Sequence, residues 1–160
     1  MSGTFRKRRC RGNAMVEVAL LAPWIFFLFI GVLDFGFYSY ALICTQNAAR
    51  SAALANASQG GANSTSACTI VMNEMNSLPN RSLLTSCIVG TCPSTTGSVT
   101  KTQPLAVTAC AVAGPDGGQA VHVIVSYFSI PMIPIPGVLT GQLTMTRTVE
   151  MPVLNLTPTS

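Results

Sequence analysis

The sequence predicts an α+β chain. A long apolar N-terminal transmembrane helix continues into a small extracytoplasmic domain that carries a short antiparallel β-sheet. Three observations lead there. Basic residues Arg6, Lys7, Arg8, Arg9 and Arg11 crowd before Gly12, and an almost uncharged apolar run follows. An alanine-rich segment prolongs the helical pattern beyond that run. Near the C-terminus, apolar and polar residues alternate with the period of strands.

The chain has 160 residues, room for one small domain and a tether, and only 9% of them are charged. After Gly12 the basic residues are Arg50, Arg81, Lys101 and Arg147, against Glu17, Asp34, Glu74, Asp116 and Glu150. A nucleic-acid-binding surface needs cations spread over a folded face, so no nucleic-acid partner is expected. Beside an apolar segment the basic block has another meaning. Positive flanks stay on the cytoplasmic side, which places the remainder outside. The cysteines Cys68, Cys87, Cys92 and Cys110 agree, because disulfides persist outside the cytoplasm.

Residues 1–12 read as a basic leader. Residues 13–57 read as one helix, with its membrane span at about 18–33, and residues 58–160 as the extracytoplasmic domain. Val18 to Leu33 carries no charge, and Glu17 and Asp34 bracket it, roughly 25 Å apart along a helix. Pro23 removes one backbone donor and loosens the helix there. A cleaved secretory signal fits poorly, since the nearest A-x-A site, at Ala53 to Ala55, lies far past the apolar core. Cys10 precedes the apolar run, so a lipoprotein signal fits poorly too. A plain signal anchor and a prepilin-type signal remain.

Beyond the polar stretch Ser58 to Ser66, "ACTIVMNEMNSL" places Ile70, Val71, Met75 and Leu78 at helical spacing and ends before Pro79. Residues 91–103 read as loop. Strands are expected at Leu105 to Ala113, Gln119 to Ile130 and Gly141 to Met151, the first two joined across the turn "GPDGG". In the last, Leu143, Met145, Val149 and Met151 alternate with Gln142, Thr144, Thr146, Thr148 and Glu150. Arg147 interrupts the apolar face, so it sits at the rim or is paired. The natural cover for that face is the outer half of the long helix. The Pro-rich "IPMIPIPGVL" from Ile130 to Leu139 cannot form a regular helix or a central strand.

The four cysteines beyond the helix allow three disulfide connectivities, and a four-cysteine zinc or redox site is the alternative use. Cys44 reads as a small apolar residue, or as a bridge to another subunit. His122, the one histidine, lies in a strand pattern without a nucleophile or carboxylate constellation, so no enzymatic activity and no cofactor are expected.

The segment Gly12-Asn13-Ala14-Met15-Val16-Glu17-Val18-Ala19-Leu20 with Pro23 resembles the N-terminus of TadE-like and TadF-like proteins, minor pseudopilins of the Tad (Flp, tight adherence) pilus system. A second motif agrees in order and spacing: Asp34, Phe35, Gly36, Tyr38, Asn47, Ala48, Ala49 and Arg50. Asp34 stands where glutamate is commoner. The resemblance covers Arg11 to Ala53 and weakens beyond.

It implies cleavage between Gly12 and Asn13 by a prepilin peptidase, with Glu17 as the fifth mature residue, registering helices against a neighbour's α-amino group. The residue reading alone leaves Glu17 equally at home among headgroups near Arg11. The implied partners are the membrane, the peptidase, other pilins or pseudopilins, and an inner-membrane assembly platform. The implied location is the bacterial inner membrane, with the N-terminus cytoplasmic and the C-terminal domain periplasmic. The implied role is assembly of a pilus used in adherence and biofilm formation, with incorporation into the filament left open. An uncleaved signal-anchored periplasmic scaffold is the alternative. Asp34 and Arg50, roughly 24 Å apart along one helix, cannot meet within it. Each pairs with another chain, or Asp34 marks the outer membrane interface. Phe27, Gly31, Asp34 and Tyr38 share a stripe that faces a partner helix or lipid.

Overall fold

A computed structural model describes residues 13–78, 84, 86–90, 92, 99–100, 102–130 and 141–153. The chain divides into two compact units, residues 1–36 and 37–160. The expected leader and nearly all of the Pro-rich segment lie outside the described residues.

Helix α1 spans Asn13–Ser58 and runs through Pro23 without a break in its assignment. In the first unit it is bare. From Ala14 to Phe29 every side chain is exposed, including Trp24, Phe26 and Phe27. Its most apolar window has a mean hydropathy of 2.4, with none of it buried within the protein. By length and composition this helix can cross a membrane.

In the second unit, α1 behaves as a core helix. Ala41, Thr45, Ala48, Ala49, Ala52, Ala53, Asn56 and Ala57 are all buried. Their spacing follows 3.6 residues per turn, so they form one continuous face with no side chain larger than asparagine. The opposing bulk comes from the sheet: Leu105, Val107, Val121, Val123, Val125, Tyr127 and Met145 share one core cluster with those alanines. Small residues on the helix let a close-packed interface form around large residues on the strands. The two polar members are satisfied locally. Thr45 Oγ1 donates to the Ala41 carbonyl at 2.7 Å, and Asn56 Nδ2 to the Ala52 carbonyl at 2.8 Å.

The end of α1 is closed by a glycine cap. Gly60 has φ 82°, and the amides of Gly60 and Gly61 return to the carbonyls of Ala57 and Asn56. Asn56 Oδ1 then accepts the Asn63 amide at 2.7 Å. Asn63 in turn caps helix α2 (Ser64–Glu74), its side chain accepting from the amides of Thr65 and Ser66. The polar stretch expected from Ser58 to Ser66 therefore holds the first turn of α2. A single 3₁₀ turn, Met75–Ser77, follows, and Ala67, Val71, Met75 and Leu78 point inward. Tyr40 of α1 donates to Ser77 Oγ at 2.9 Å.

The sheet has four strands in the order β1 (Ile88–Val89), β2 (Leu105–Ala113), β3 (Gln119–Phe128), β4 (Thr144–Pro152). β2, β3 and β4 are antiparallel, with Leu105 opposite Tyr127 and Tyr127 opposite Met145. β1 pairs with β2 in parallel, so the sheet is mixed where a purely antiparallel one was expected. A two-residue strand leaves no periodic signal, which is why it was not legible.

The β2–β3 turn sits where "GPDGG" places it: Gly117 has φ 74°, and Gly114 N–H donates to the Gly118 carbonyl. β3 ends at Phe128 and β4 begins at Thr144, both short of the expected bounds. Gly141 has φ 114°, which is no strand conformation, and Ser129 Oγ takes the Leu143 amide that a ladder would have used. Past the short β1, Ser64 Oγ both donates to the Ala109 carbonyl and accepts its amide, satisfying the edge of β2.

If the small-residue face sets the helix–sheet distance, enlarging it destabilises the domain. Ala52→Leu is expected to lose about 1–3 kcal/mol by overpacking. The outward Leu54→Ala should change stability by less than about 0.5 kcal/mol. Thermal unfolding of the detergent-solubilised protein, followed by near-ultraviolet circular dichroism, compares the two.

Candidate functional site

Apart from Gly12 and the four disulfide cysteines, the residues singled out by sequence fall on α1, in three groups. Gly12 lies outside the described residues, and Asn13 opens the helix. Glu17 is exposed on the first turns, among exposed apolar neighbours.

The second group is Asp34, Phe35 and Gly36. Phe35 is fully outward, at 70% exposure, and a Cβ placed on Gly36 would meet nothing. Asp34 is half-buried. Its Oδ2 is shielded from solvent, yet it has no hydrogen-bond partner among the described residues. An unpaired, covered polar oxygen costs on the order of 1–3 kcal/mol, and more when it is charged. Such an atom calls for a donor that the described residues do not supply.

The third group lies in the second unit. Tyr38 is half-buried against the core cluster. Ala48 and Ala49 are fully buried, whereas Asn47 and Arg50 are exposed. The Asn-Ala-Ala-Arg motif thus divides by helical phase: its alanines seat the helix on the sheet, and its polar ends look outward. Ile43, Asn47, Arg50 and Leu54 make one exposed stripe at i, i+4, i+7 and i+11. No ion pair engages Arg50 among the described residues.

Sequence reasoning did not find the neighbour of this stripe. Arg147 stands opposite Val125 on the helix-facing side of β4, half-buried. Together with Leu42, Ile43, Gln46 and Asn47 it lines an open groove of about 280 Å³. The break in strand alternation at position 147 located the residue on that face. Only the fold brings it to α1.

The four cysteines form two disulfides, Cys68–Cys87 and Cys92–Cys110. The first ties α2 to the segment entering β1, and the second ties the segment leaving β1 to β2. All four sulfurs are consumed, so none is a thiolate ligand for zinc. Cys44 is a free, half-buried thiol beside the core. His122 is half-buried in β3, between Cys110 of β2 and Glu150 of β4 in the strand register. A larger groove of about 510 Å³ lies at the β2–β3 turn, where Asp116, Gln119 and Glu150 are its polar side chains. Among the described residues, no nucleophile lines the groove beside these carboxylates.

Comparison with known families finds a likeness for the helix. Residues 12–54 match the family described as TadE-like protein. The N-terminal segment of this chain is TadE-like. That match begins at Gly12 and ends just past Arg50, so it takes in all three groups on α1 and stops short of α2 and the sheet. No curated protein and no solved structure matches the chain.

The disulfide pairing is open to direct measurement. Peptide mapping without reductant should yield Cys68 linked to Cys87 and Cys92 linked to Cys110. Alkylation under denaturing conditions should label Cys44 and leave those four unlabelled. Each bridge closes a loop of sequence separation 19 or 18, and reduction should cost about 3 kcal/mol per bridge.

Proposed function

We propose that this chain is a minor pseudopilin that takes part in assembling a Tad/Flp-type pilus, anchored in the bacterial inner membrane by α1. The observation that carries the reading is the TadE-like match over residues 12–54, the same residues that form the exposed apolar helix and its outward stripe.

The basic leader holds the N-terminus in the cytoplasm, and the apolar span halts in the bilayer. A prepilin peptidase cuts between Gly12 and Asn13, removing the leader and creating a new α-amino group. Glu17 is then the fifth residue of the mature helix. A carboxylate near the end of a membrane helix is costly, up to roughly 2.5–3.5 kcal/mol at the bilayer centre and less toward the interface. A cationic group from a neighbouring subunit offsets that cost, and the α-amino group of another processed pilin has the right charge. Glu17 therefore sets the register between helices. The domain of residues 58–160 folds outside the cytoplasm, where its two disulfides persist. Its partners are other pilins or pseudopilins and the inner-membrane assembly platform, and the reading assigns it no enzymatic activity. Adherence and biofilm formation are the outcomes expected of such a pilus.

Mass spectrometry of the mature N-terminus tests the reading. Asn13 should be the first residue, and Gly12→Ala should leave the leader attached. Functional protein that still begins at Met1 or Ser2 would instead support an uncleaved scaffold. Glu17→Gln should insert normally but reduce piliation by about tenfold or more, the loss of one charge pair in a low-dielectric setting. Unchanged piliation would remove Glu17 from the mechanism.

A further inference from the structure

Two stripes on α1 have the same spacing and complementary chemistry. The outward stripe of the folded domain is Ile43, Asn47, Arg50 and Leu54, with Ile43 and Leu54 60% and 58% exposed. The other is Phe27, Gly31, Asp34 and Tyr38. Both run i, i+4, i+7, i+11. Laid side by side in parallel, they oppose Phe27 with Ile43, Gly31 with Asn47, Asp34 with Arg50 and Tyr38 with Leu54. Apolar meets apolar, a residue without a side chain meets an amide, and carboxylate meets guanidinium. A Cβ on Gly31 would meet nothing within the chain, so the surface there is open to a neighbour.

We infer that α1 of a second copy of this chain docks on the stripe Ile43–Asn47–Arg50–Leu54, giving its Asp34 carboxylate to Arg50. Charge complementarity selects this occupant. Asp34 is only half-buried, and its Oδ2 has no hydrogen-bond partner among the described residues. Arg50 is exposed with no ion pair among the described residues, because the buried alanines on either side turn it away from its own sheet. A guanidinium offers the paired donors that a carboxylate takes best. Arg147, in the groove beside Asn47, adds positive charge at the same place.

The register has a mechanical consequence. Positions 34 and 50 differ by sixteen residues, so the donor copy is displaced about 24 Å along the helix direction relative to its acceptor. Two copies resting at one depth in a membrane cannot make this contact. It forms when one copy is raised, and the acceptor's apolar stripe then meets part of the segment that leaves the lipid. Each copy uses one patch to give and a different patch to receive, so the contact is heterologous and propagates without closing.

This inference rests on the membrane-anchored, pilus-assembling reading above, and directional cross-linking in assembling cells tests it. Both copies carry Cys10→Ser and Cys44→Ser. One tagged copy carries Gly31→Cys and a differently tagged copy carries Asn47→Cys, leaving the charges intact. The expected result is a mixed 31/47 disulfide, with little 31/31 or 47/47 product. Asp34→Lys in the first copy, or Arg50→Glu in the second, should lower the mixed product by about tenfold, and the two changes together should restore it. No mixed product, equal yields from like pairs, or indifference to the charges overturns the interface. The N-terminus is read in the same cells. Chain that begins at Asn13 without cross-linking overturns this interface alone, whereas chain that keeps its leader overturns the functional reading as well.

Discussion

The folded unit depends on one constraint, the smallness of the inward face of α1. Six alanines, a threonine and an asparagine occupy the buried positions between Ala41 and Ala57. With so little side chain on the helix, the bulk of the shared core comes from the valines of β3 with Leu105, Val107 and Tyr127. A leucine-rich helix would demand a wider separation and a different strand composition. Because the inward face is fixed in this way, the outward face is fixed as well: turning the alanines onto the sheet turns Ile43, Asn47, Arg50 and Leu54 away from it. Local packing thus decides which residues are available for contacts beyond the chain.

Burying polar residues on that face requires each of them to be satisfied, and the structure does this by passing contacts along the chain. Asn56 bonds back into its own helix and forward to the Asn63 amide. Asn63 caps α2, and Ser64 then serves the backbone of β2 where β1 has run out. The connection from helix to sheet is thereby specified at each step by a polar side chain. Among the described residues, four strands and two helices make a modest core, and small domains of this kind commonly depend on covalent staples. The two disulfides lie on either side of β1, where a two-residue strand has little pairing of its own to hold it.

Much of this was legible in the sequence because the signals were local. The length of α1 follows from its unbroken apolar and alanine-rich pattern, and β2 from its bounds at Leu105 and Ala113. The β2–β3 turn follows from its glycines. What escaped depends on distant partners. β1 exists because residues near it are bridged to α2 and β2, and nothing within "IV" announces a strand. The connectivity of the cysteines, left open among three choices, is settled by which elements become neighbours. The candidate site was legible as a set of positions but not as two faces. Asn47, Ala48, Ala49 and Arg50 read as one motif, whereas helical phase against the sheet separates packing alanines from outward Asn47 and Arg50. The small-residue stripe at i, i+4, i+7 and i+8 was the signal that could have shown this. Arg147 reached the same region from almost a hundred residues away, which no local pattern encodes.

The boundary of the TadE-like match also has a physical reading. It covers α1 almost to its end and none of the strands. A sheet face can be filled by many combinations of valine, leucine, isoleucine and methionine, provided that volume and alternation are kept. The residues of α1 have less freedom, since each turn of the outer half must be small on one side for the sheet and suitable on the other for whatever lies outside. Its inner half must be apolar enough for lipid, yet carry Glu17 and Asp34 at its ends. A carboxylate is costly within an apolar span and less so toward its ends, which is where Glu17 and Asp34 stand. Neither is paired within the described chain. Among the described residues, the helix that packs its alanines into the core leaves both acids without a cation, which is the gap that the proposed contacts with other chains would fill.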